Sequence, residues 1–224
     1  MALSKRQRAK LQKAGPLFIS FEGGEGSGKS TQVRLLADML NQANCPTTCT
    51  RDPGGCDNSM ILRRLLVETD GADWHPRTEA LLFMAARNEL IHNTVRPALQ
   101  DGTWVISDRF SDGTCVYQGA GRGISAEEIA TYRRLVVGKD EPDVTIMLDM
   151  PVEDGLTRAR GRADSAHEQR FENLDLDFHR RVRQGFLDIA AANPHRCIVG
   201  DARGTPEEVH QRIREALLHH ILNR

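Results

Sequence analysis

Short apolar runs alternate with helical patterns over most of the chain. The runs that predict strands are residues 17–22, 46–50, 104–107, 144–148 and 196–199. Apolar residues recur at helical spacing in residues 29–44, 60–67, 77–99, 126–137, 152–160, 174–192 and 206–222. The third and fourth strands are almost wholly apolar, as strands buried on both faces are. The alternation predicts an α/β fold with a five-stranded parallel sheet flanked by helices.

Length and composition bound the number of domains. With 224 residues, 39% of them hydrophobic, the chain can bury the core of one domain, which we assign to residues 16–224. Residues 1–15 carry basic side chains and no acidic one, so we expect a basic, solvated and frayed N-terminal extension. Residues 161–169 lack apolar periodicity and lie between two helical patterns. With their flanks they predict a mobile lid at about residues 158–172.

The first strand leads directly into a phosphate-binding motif. Residues 23–30 read GGEGSGKS, which matches GxxxxGK[ST]. The glycines let backbone N–H groups turn inward around phosphate oxygens, and a helix that begins near Lys29 adds the positive end of its dipole. Lys29 can reach the β- and γ-phosphates, and the Ser30 hydroxyl can ligate Mg²⁺. The motif predicts binding of a nucleoside triphosphate.

Two polar pairs follow other strands. Asp108 and Arg109 come directly after the strand at residues 104–107, and Arg51 and Asp52 precede a Pro-Gly-Gly turn after the second strand. The carboxyl ends of parallel strands meet at the edge of the sheet where ligands bind. Asp108 can therefore hold Mg²⁺, while Arg109 can clamp a second phosphate with its planar guanidinium group.

A third pair lies on the long helix predicted at residues 77–99. Phe83 and Arg87 are four residues apart and share one face of that helix. An aromatic ring and a guanidinium group so placed could stack on a base and hydrogen-bond to it.

Charge, cysteine content and hydropathy exclude several classes of protein. The 30 Lys and Arg residues nearly balance 31 Asp and Glu residues, so no global field would gather long polyanions. The five cysteines are odd in number and form no CxxC pair, which indicates free thiols in a reducing compartment. No apolar run is long enough for a membrane span or a signal peptide. We expect a cytoplasmic protein without nucleic-acid or membrane partners.

Taken in order, the motifs resemble those of one known family. They are EGGEGSGKST, TRDPGG, FMAAR, DRF with YQG, PDVTIMLD and an arginine-rich lid ending in RFE, and they extend from about residue 17 to the last helix. The set is similar to thymidylate kinase in its bacterial form, a member of the nucleoside-monophosphate-kinase branch of P-loop kinases. The resemblance implies a three-layer P-loop NTPase fold with a mobile lid. It also implies transfer of the γ-phosphoryl group of ATP to dTMP, giving dTDP, with Mg²⁺ as cofactor and a homodimer as the assembly.

The resemblance assigns residues to ATP, to the metal and to catalysis. The ATP-binding set is Gly23, Gly24, Glu25, Gly26, Ser27, Gly28, Lys29, Ser30, Thr31 and Arg203, with Arg203 and its loop bordering the adenine. The implied metal ligands are Ser30 and Asp108. The implied catalytic residues are Lys29, Arg109, Glu25, Arg162 and Arg170.

The resemblance also assigns residues to the acceptor nucleotide. The implied dTMP-binding set is Arg51, Asp52, Phe83, Arg87, Arg109, Thr114, Tyr117 and Gln118. Phe83 would stack on thymine and Arg87 would donate to its O4, with Thr114 at the base edge. Arg51 and Arg109 would grip the monophosphate. Glu25 would accept the sugar 3′-hydroxyl, and Tyr117 would lie where a 2′-hydroxyl would project.

The chain departs from the family pattern at several positions. Asp52 stands where Glu is usual, and Gly113 and Cys115 stand where Ser and Gln are common. The lid is longer than expected and has Gln169 before its Arg-Phe-Glu. The lid arginine that enters the site therefore stays open among Arg158, Arg160, Arg162 and Arg170.

Two other functions remain open from the residues. A deoxynucleoside kinase would transfer phosphate to a sugar hydroxyl and would need a base, for which Glu22 or Asp52 are the candidates. A P-loop nucleotide switch would use the same loop. Residues 201–204 match DxxG, but no NKxD motif follows them, so motif order disfavours the switch.

Overall fold

Five parallel strands form one central sheet. The computed structural model describes residues 3–68, 73–161 and 174–222. The strands are β1 (Phe18–Gly23), β2 (Thr47–Arg51), β3 (Trp104–Asp108), β4 (Val144–Asp149) and β5 (Cys197–Asp201). They lie in the order β2-β3-β1-β4-β5, with every neighbouring pair parallel. This confirms the predicted sheet.

Helices flank the sheet throughout the described residues. They are α1 (Lys5–Ala14), α2 (Lys29–Gln42), α3 (Asp57–Arg63), α4 (Pro76–Leu90), α5 (Arg96–Gln100), α6 (Ser111–Thr114), α7 (Ala126–Val136), α8 (Val152–Arg160), α9 (Leu176–Ala192) and α10 (Pro206–Leu222). Turns of π-helix follow α3, α4 and α6, at Arg64–Glu68, Ile91–Val95 and Cys115–Gly121. Within this part of the chain, every helix is too short or too polar to cross a membrane.

The single helix predicted at residues 77–99 is interrupted. A π-helical segment, Ile91–Val95, separates α4 from α5. Pro97 follows this segment, and proline has no backbone N–H for the regular helical ladder. The interruption lies beyond Phe83 and Arg87, so both still share the regular part of α4.

The alternation of side chains along β1 builds a core on each face of the sheet. Ile19 packs with Leu36 of α2 and Leu217 of α10 in one cluster. Phe18 points to the opposite face and packs with Leu90 at the end of α4 in another. The sheet is therefore the middle of three layers, as predicted.

The expectation of a frayed N-terminal extension is wrong for residues 5–14. They form α1, which begins with a capping box in which the Ser4 hydroxyl accepts from the Gln7 N–H and the Gln7 side chain accepts from the Ser4 N–H. Leu11 is fully buried in the core cluster that contains α10, and the Gln12 side chain donates to Ala43 O at 2.8 Å. The basic side chains lie outward while Leu11 anchors the helix.

Candidate nucleotide-binding site

The phosphate loop joins β1 to α2 in the predicted way. Gly28 has a left-handed backbone with φ of 88° at the N-terminus of α2, and a Cβ atom added there would meet no atom within 4 Å. Lys29 Nζ donates to Gly23 O at 3.2 Å and to Gly24 O at 2.9 Å. The Ser27 hydroxyl donates to Gly24 O at 2.9 Å. The loop thus holds its cation beside backbone that is open to a phosphate.

The loop packs tightly against α8, which sequence reasoning missed. A Cβ on Gly26 would lie 1.9 Å from Gly155 O, and a Cβ on Gly155 would lie 2.5 Å from Glu25 O. Gly26 also has φ of 67°, where other residues are strained. A glycine in the helical pattern at residues 152–160 was the available signal, because an isolated helical glycine often marks close backbone approach.

Asp108 and Ser30 meet at the carboxyl edge of the sheet. Asp108 is the last residue of β3, and its Oδ2 accepts from the Ser30 hydroxyl at 2.5 Å. The two predicted metal ligands are thus adjacent, and both are oxygen donors of the kind that Mg²⁺ prefers.

Arg109 is held between the phosphate loop and an aromatic ring. Its guanidinium group donates to Glu25 Oε1 at 2.7 Å and to Gly23 O at 3.2 Å, and lies 5.0 Å from the centre of the Tyr117 ring. The Tyr117 hydroxyl donates to the same Glu25 oxygen at 2.7 Å. Burial opposes ionisation of Glu25, but Arg109 and Lys29 outweigh it and lower the pKa of Glu25 to about 2. Glu25 is therefore an anion at neutral pH.

A cavity opens beside Arg109, with about 630 Å³ of space including the part open to solvent. Its lining includes the predicted acceptor-binding residues Asp52, Phe83, Arg87, Arg109, Thr114, Tyr117 and Gln118, together with Glu25. Its lining also contains Arg63, Val67 and Phe110, which sequence reasoning did not assign. The structure therefore brings together residues that are far apart in sequence.

Arg87 is almost fully buried and holds several groups in this cavity. Its guanidinium group donates to Asp52 Oδ2 at 2.5 Å, to Thr114 Oγ1 at 2.9 Å and to Phe110 O at 3.2 Å. Arg87 and Asp52 are 2% and 0% exposed as side chains. Both residues are predicted to bind the ligand, and in the structure Asp52 also forms a buried ion pair with Arg87.

Gln118 is tied to a second buried carboxylate. Its amide nitrogen donates to Glu79 Oε1 at 2.8 Å, and Arg122 lies 3.3 Å from the same oxygen. The acidic residue on α4 thus fixes the Gln118 side chain at the cavity wall. Sequence reasoning missed Glu79, because a charged residue in the first turn of a helix is usually solvated.

A larger groove continues from this cavity along the phosphate loop. It encloses about 2120 Å³, including space open to solvent, and its lining includes Lys29, Ser30, Thr31, Arg51, Asp108 and Arg109. Four residues line both spaces: Glu25, Asp52, Arg63 and Arg109. The cavity therefore opens into the phosphate groove beside Arg109.

The remaining predicted site residues are Arg203 and the arginines of the lid. Arg203 is exposed and pairs with Asp201 at 2.9 Å, so its contact with adenine stays a prediction. Arg158 donates to Ala202 O at 3.1 Å, in the loop that precedes Arg203. Arg162, Arg170 and most of the predicted lid lie outside the described residues.

The fold and the site define a class of protein. The parallel sheet carries a glycine phosphate loop after β1, and an acceptor cavity opens into the same groove. Together these features are those of a P-loop nucleotide kinase.

Comparison with known proteins gives the family. The model of the family described as thymidylate kinase matches residues 21–213. A thymidylate kinase of Bradyrhizobium diazoefficiens is 44% identical over 205 residues, covering 92% of this chain and 90% of the relative. A thymidylate kinase of Afipia carboxidovorans is 45% identical over 204 residues, covering 91% and 90%.

A solved structure shows the same fold. The crystal structure of thymidylate kinase from Ehrlichia chaffeensis superposes with a TM-score of 0.73 at 34% identity, covering 91% of this chain and 99% of that chain. The chain belongs to the thymidylate kinase family. The matches confirm the predicted enzyme class and do not favour the deoxynucleoside kinase or the nucleotide switch that the residues had left open.

Proposed function

We propose that the protein transfers the γ-phosphoryl group of ATP to dTMP, giving ADP and dTDP. The observation that carries this proposal is the junction at Arg109, where the cavity that contains Phe83 and Arg87 opens into the phosphate groove of Lys29. A nucleoside monophosphate in the cavity would direct its phosphate toward the triphosphate in the groove. The family match supports the choice of substrates.

The acceptor needs no general base in this reaction. A phosphate monoester has a second pKa near 6, so it is mostly a dianion at neutral pH. Bringing two polyanions together and stabilising the charge of the transferred group is then the main task. Lys29 and Arg109 are fixed by the loop and by Glu25, so they supply positive charge with little reorganisation.

A sugar hydroxyl would need a base, and the two candidates are engaged elsewhere. Glu22 is fully buried and accepts from the N–H groups of Phe110 and Gly113. Asp52 accepts from Arg87 in a buried ion pair. These contacts favour a phosphate rather than a hydroxyl as the acceptor group.

Recognition of thymidine is assigned to side chains of the cavity. We assign Phe83 to stacking on thymine and Arg87, next to Thr114, to its O4. Glu25 would accept from the sugar 3′-hydroxyl, and Tyr117 would close the space beside C2′. The Tyr117 hydroxyl already bonds to Glu25, so the two side chains form one wall.

Ser30 and Asp108 would hold Mg²⁺. Their adjacent hydroxyl and carboxylate are a suitable pair of oxygen donors, and Mg²⁺ usually takes its other ligands from phosphates and water. The bound ion would neutralise phosphate charge. The cytoplasmic location and the homodimer stay predictions from the sequence.

A substrate screen tests the proposed reaction. ADP release is measured with ATP and each common nucleoside monophosphate, with thymidine in parallel. We expect the highest kcat/KM with dTMP, and no ADP release with thymidine, because Glu22 and Asp52, the two candidate bases for a hydroxyl, are held in other contacts. Preference for thymidine, or for a purine monophosphate, would contradict the proposal.

Removal of the metal is a second test. Excess EDTA should abolish ADP release and added Mg²⁺ should restore it, while Ser30→Ala should lower kcat by roughly tenfold or more. The control is Thr131→Ala on α7, whose hydroxyl bonds to Glu127 O within its own helix. Full activity of Ser30→Ala at limiting Mg²⁺ would remove Ser30 from the metal site.

A further inference from the structure

Glu22 is a buried carboxyl group that the proposed reaction does not use. It is 0% exposed and directly precedes the phosphate loop. Its Oε1 accepts from the Phe110 N–H at 2.8 Å and from the Gly113 N–H at 3.1 Å. Its Oε2 is buried with no hydrogen-bond partner among the described residues. A buried acid with an unpaired oxygen costs stability, so its presence calls for a compensating role.

The two N–H groups that Glu22 binds belong to the turn that carries Arg109. Arg109 has φ of 68°, a left-handed conformation that is uncommon for a residue with a side chain. Its own N–H donates to Phe21 O at 2.9 Å, so β1 fixes the turn on one side. Glu22, the next residue of β1, fixes the other side by accepting from the N–H groups of Phe110 and Gly113, which follow Arg109 in the chain. In this backbone conformation the guanidinium group reaches Gly23 O and Glu25.

We propose that Glu22 is a positioning residue for Arg109. One carboxyl oxygen clamps the Phe110–Gly113 turn, and the clamp keeps Arg109 in its left-handed conformation with the guanidinium group directed at the acceptor phosphate. The inference rests on the proposed function, since it takes that phosphate as the ligand of Arg109.

The clamp needs an acceptor oxygen, not a negative charge. Burial raises the pKa of Glu22 to about 8, and Asp112 adds to this rise while Arg109 and the two N–H groups oppose it. The carboxyl group is therefore largely neutral at pH 7, and a neutral carbonyl oxygen can still accept from both N–H groups. Glutamine has the same shape and the same acceptor, whereas methionine fills a similar volume without one.

The test compares Glu22→Gln with Glu22→Met by calorimetry, using dTMP and thymidine without ATP. The ratio of their affinities reports the contribution of the phosphate. We expect Glu22→Gln to keep the affinity ratio within about threefold of the wild-type ratio. We expect Glu22→Met to lower the ratio roughly tenfold or more, which is the scale of a hydrogen bond to a charged group. Equal losses for dTMP and thymidine in Glu22→Met would indicate a merely structural role and would overturn the proposal.

A double-mutant cycle with Arg109→Ala shows whether Glu22 acts through Arg109. In the Arg109→Ala background, Glu22→Met should change dTMP affinity less than threefold, because the group it positions is gone. A full additive loss would refute the inference. If Glu22→Met does not fold, Glu22→Gln provides the test. A retained affinity ratio and a kcat within about threefold of the wild-type value support the clamp. A loss of about 100-fold in kcat would indicate that Glu22 acts as an ionised base instead.

The outcomes separate this inference from the proposed function. If Arg109→Ala leaves the ratio of dTMP to thymidine affinity unchanged, Arg109 does not bind the phosphate. The proposed role of Glu22 is then refuted as well. If the wild-type protein shows the expected ratios but phosphorylates no dTMP, the reaction is refuted while the clamp stands.

Discussion

Lys29→Met is expected to abolish turnover and leave the fold intact. Lys29 Nζ lies within hydrogen-bond distance of Gly23 O and Gly24 O, where it would face the phosphates of a bound triphosphate. Methionine has nearly the same length but no charge, so the transferred phosphoryl group loses a fixed cation. We expect kcat/KM to fall by on the order of 10³-fold or more. ADP release with saturating dTMP measures the effect.

The fold should tolerate this change because the charge of Lys29 is costly without a ligand. Burial is the main reason that the pKa of Lys29 falls to about 8, and repulsion from Arg109 adds to it. The Met variant should therefore unfold at the same temperature as the wild type, or higher. Lys13→Met, which removes an exposed charge from α1, is the matched control and should keep full activity. Unchanged turnover in Lys29→Met would show that the phosphate loop was assigned wrongly.

The sheet and the phosphate loop could be predicted from the sequence because both are local signals. Each strand is a short apolar run, and the loop motif fixes its own position after β1. The structure extends the strands by one or two residues at their carboxyl ends, so that Arg51 and Asp108 end β2 and β3 rather than follow them. Those polar ends carry no apolar pattern, which is why the prediction stopped short.

Helix α1 shows that a segment rich in basic residues can still pack against the core. Only Leu3 and Leu11 of this region are buried, which is too few for an apolar periodicity. The capping box of Ser4 and Gln7 was nevertheless readable from the sequence. Its docking against α10 is a tertiary contact, which no local pattern specifies.

The polar contacts of the site were the hardest part to predict. Asp52 and Arg87 are 35 residues apart in the sequence, and the fold makes them a buried pair. Glu22 similarly accepts from Gly113, which is 91 residues away. Sequence motifs predicted most of the side chains that line the cavity. The hydrogen-bond partners that hold these side chains in place depend on how the helices and strands pack.

The Asp52–Arg87 pair leads to the second large effect, in Arg87→Ala. The change removes the proposed donor to thymine O4, so the KM for dTMP should rise roughly 10- to 100-fold while the KM for ATP changes little. It also leaves Asp52 buried without its cation. Breaking a buried pair in this way costs about 3–5 kcal/mol. In a chain of this size, that cost corresponds to a fall in Tm of roughly 6–20 °C.

A second substitution separates the two effects of Arg87→Ala. Adding Asp52→Asn removes the unpaired negative charge, so the double variant should recover much of the lost Tm. Its KM for dTMP should stay high, because asparagine at position 52 does not replace the guanidinium donor. Thermal unfolding and initial-rate kinetics on the same preparations measure both quantities. If Arg87→Ala raises the KM values for ATP and dTMP equally, or if Asp52→Asn restores dTMP affinity along with stability, then Arg87 acts only through Asp52 and does not contact thymine.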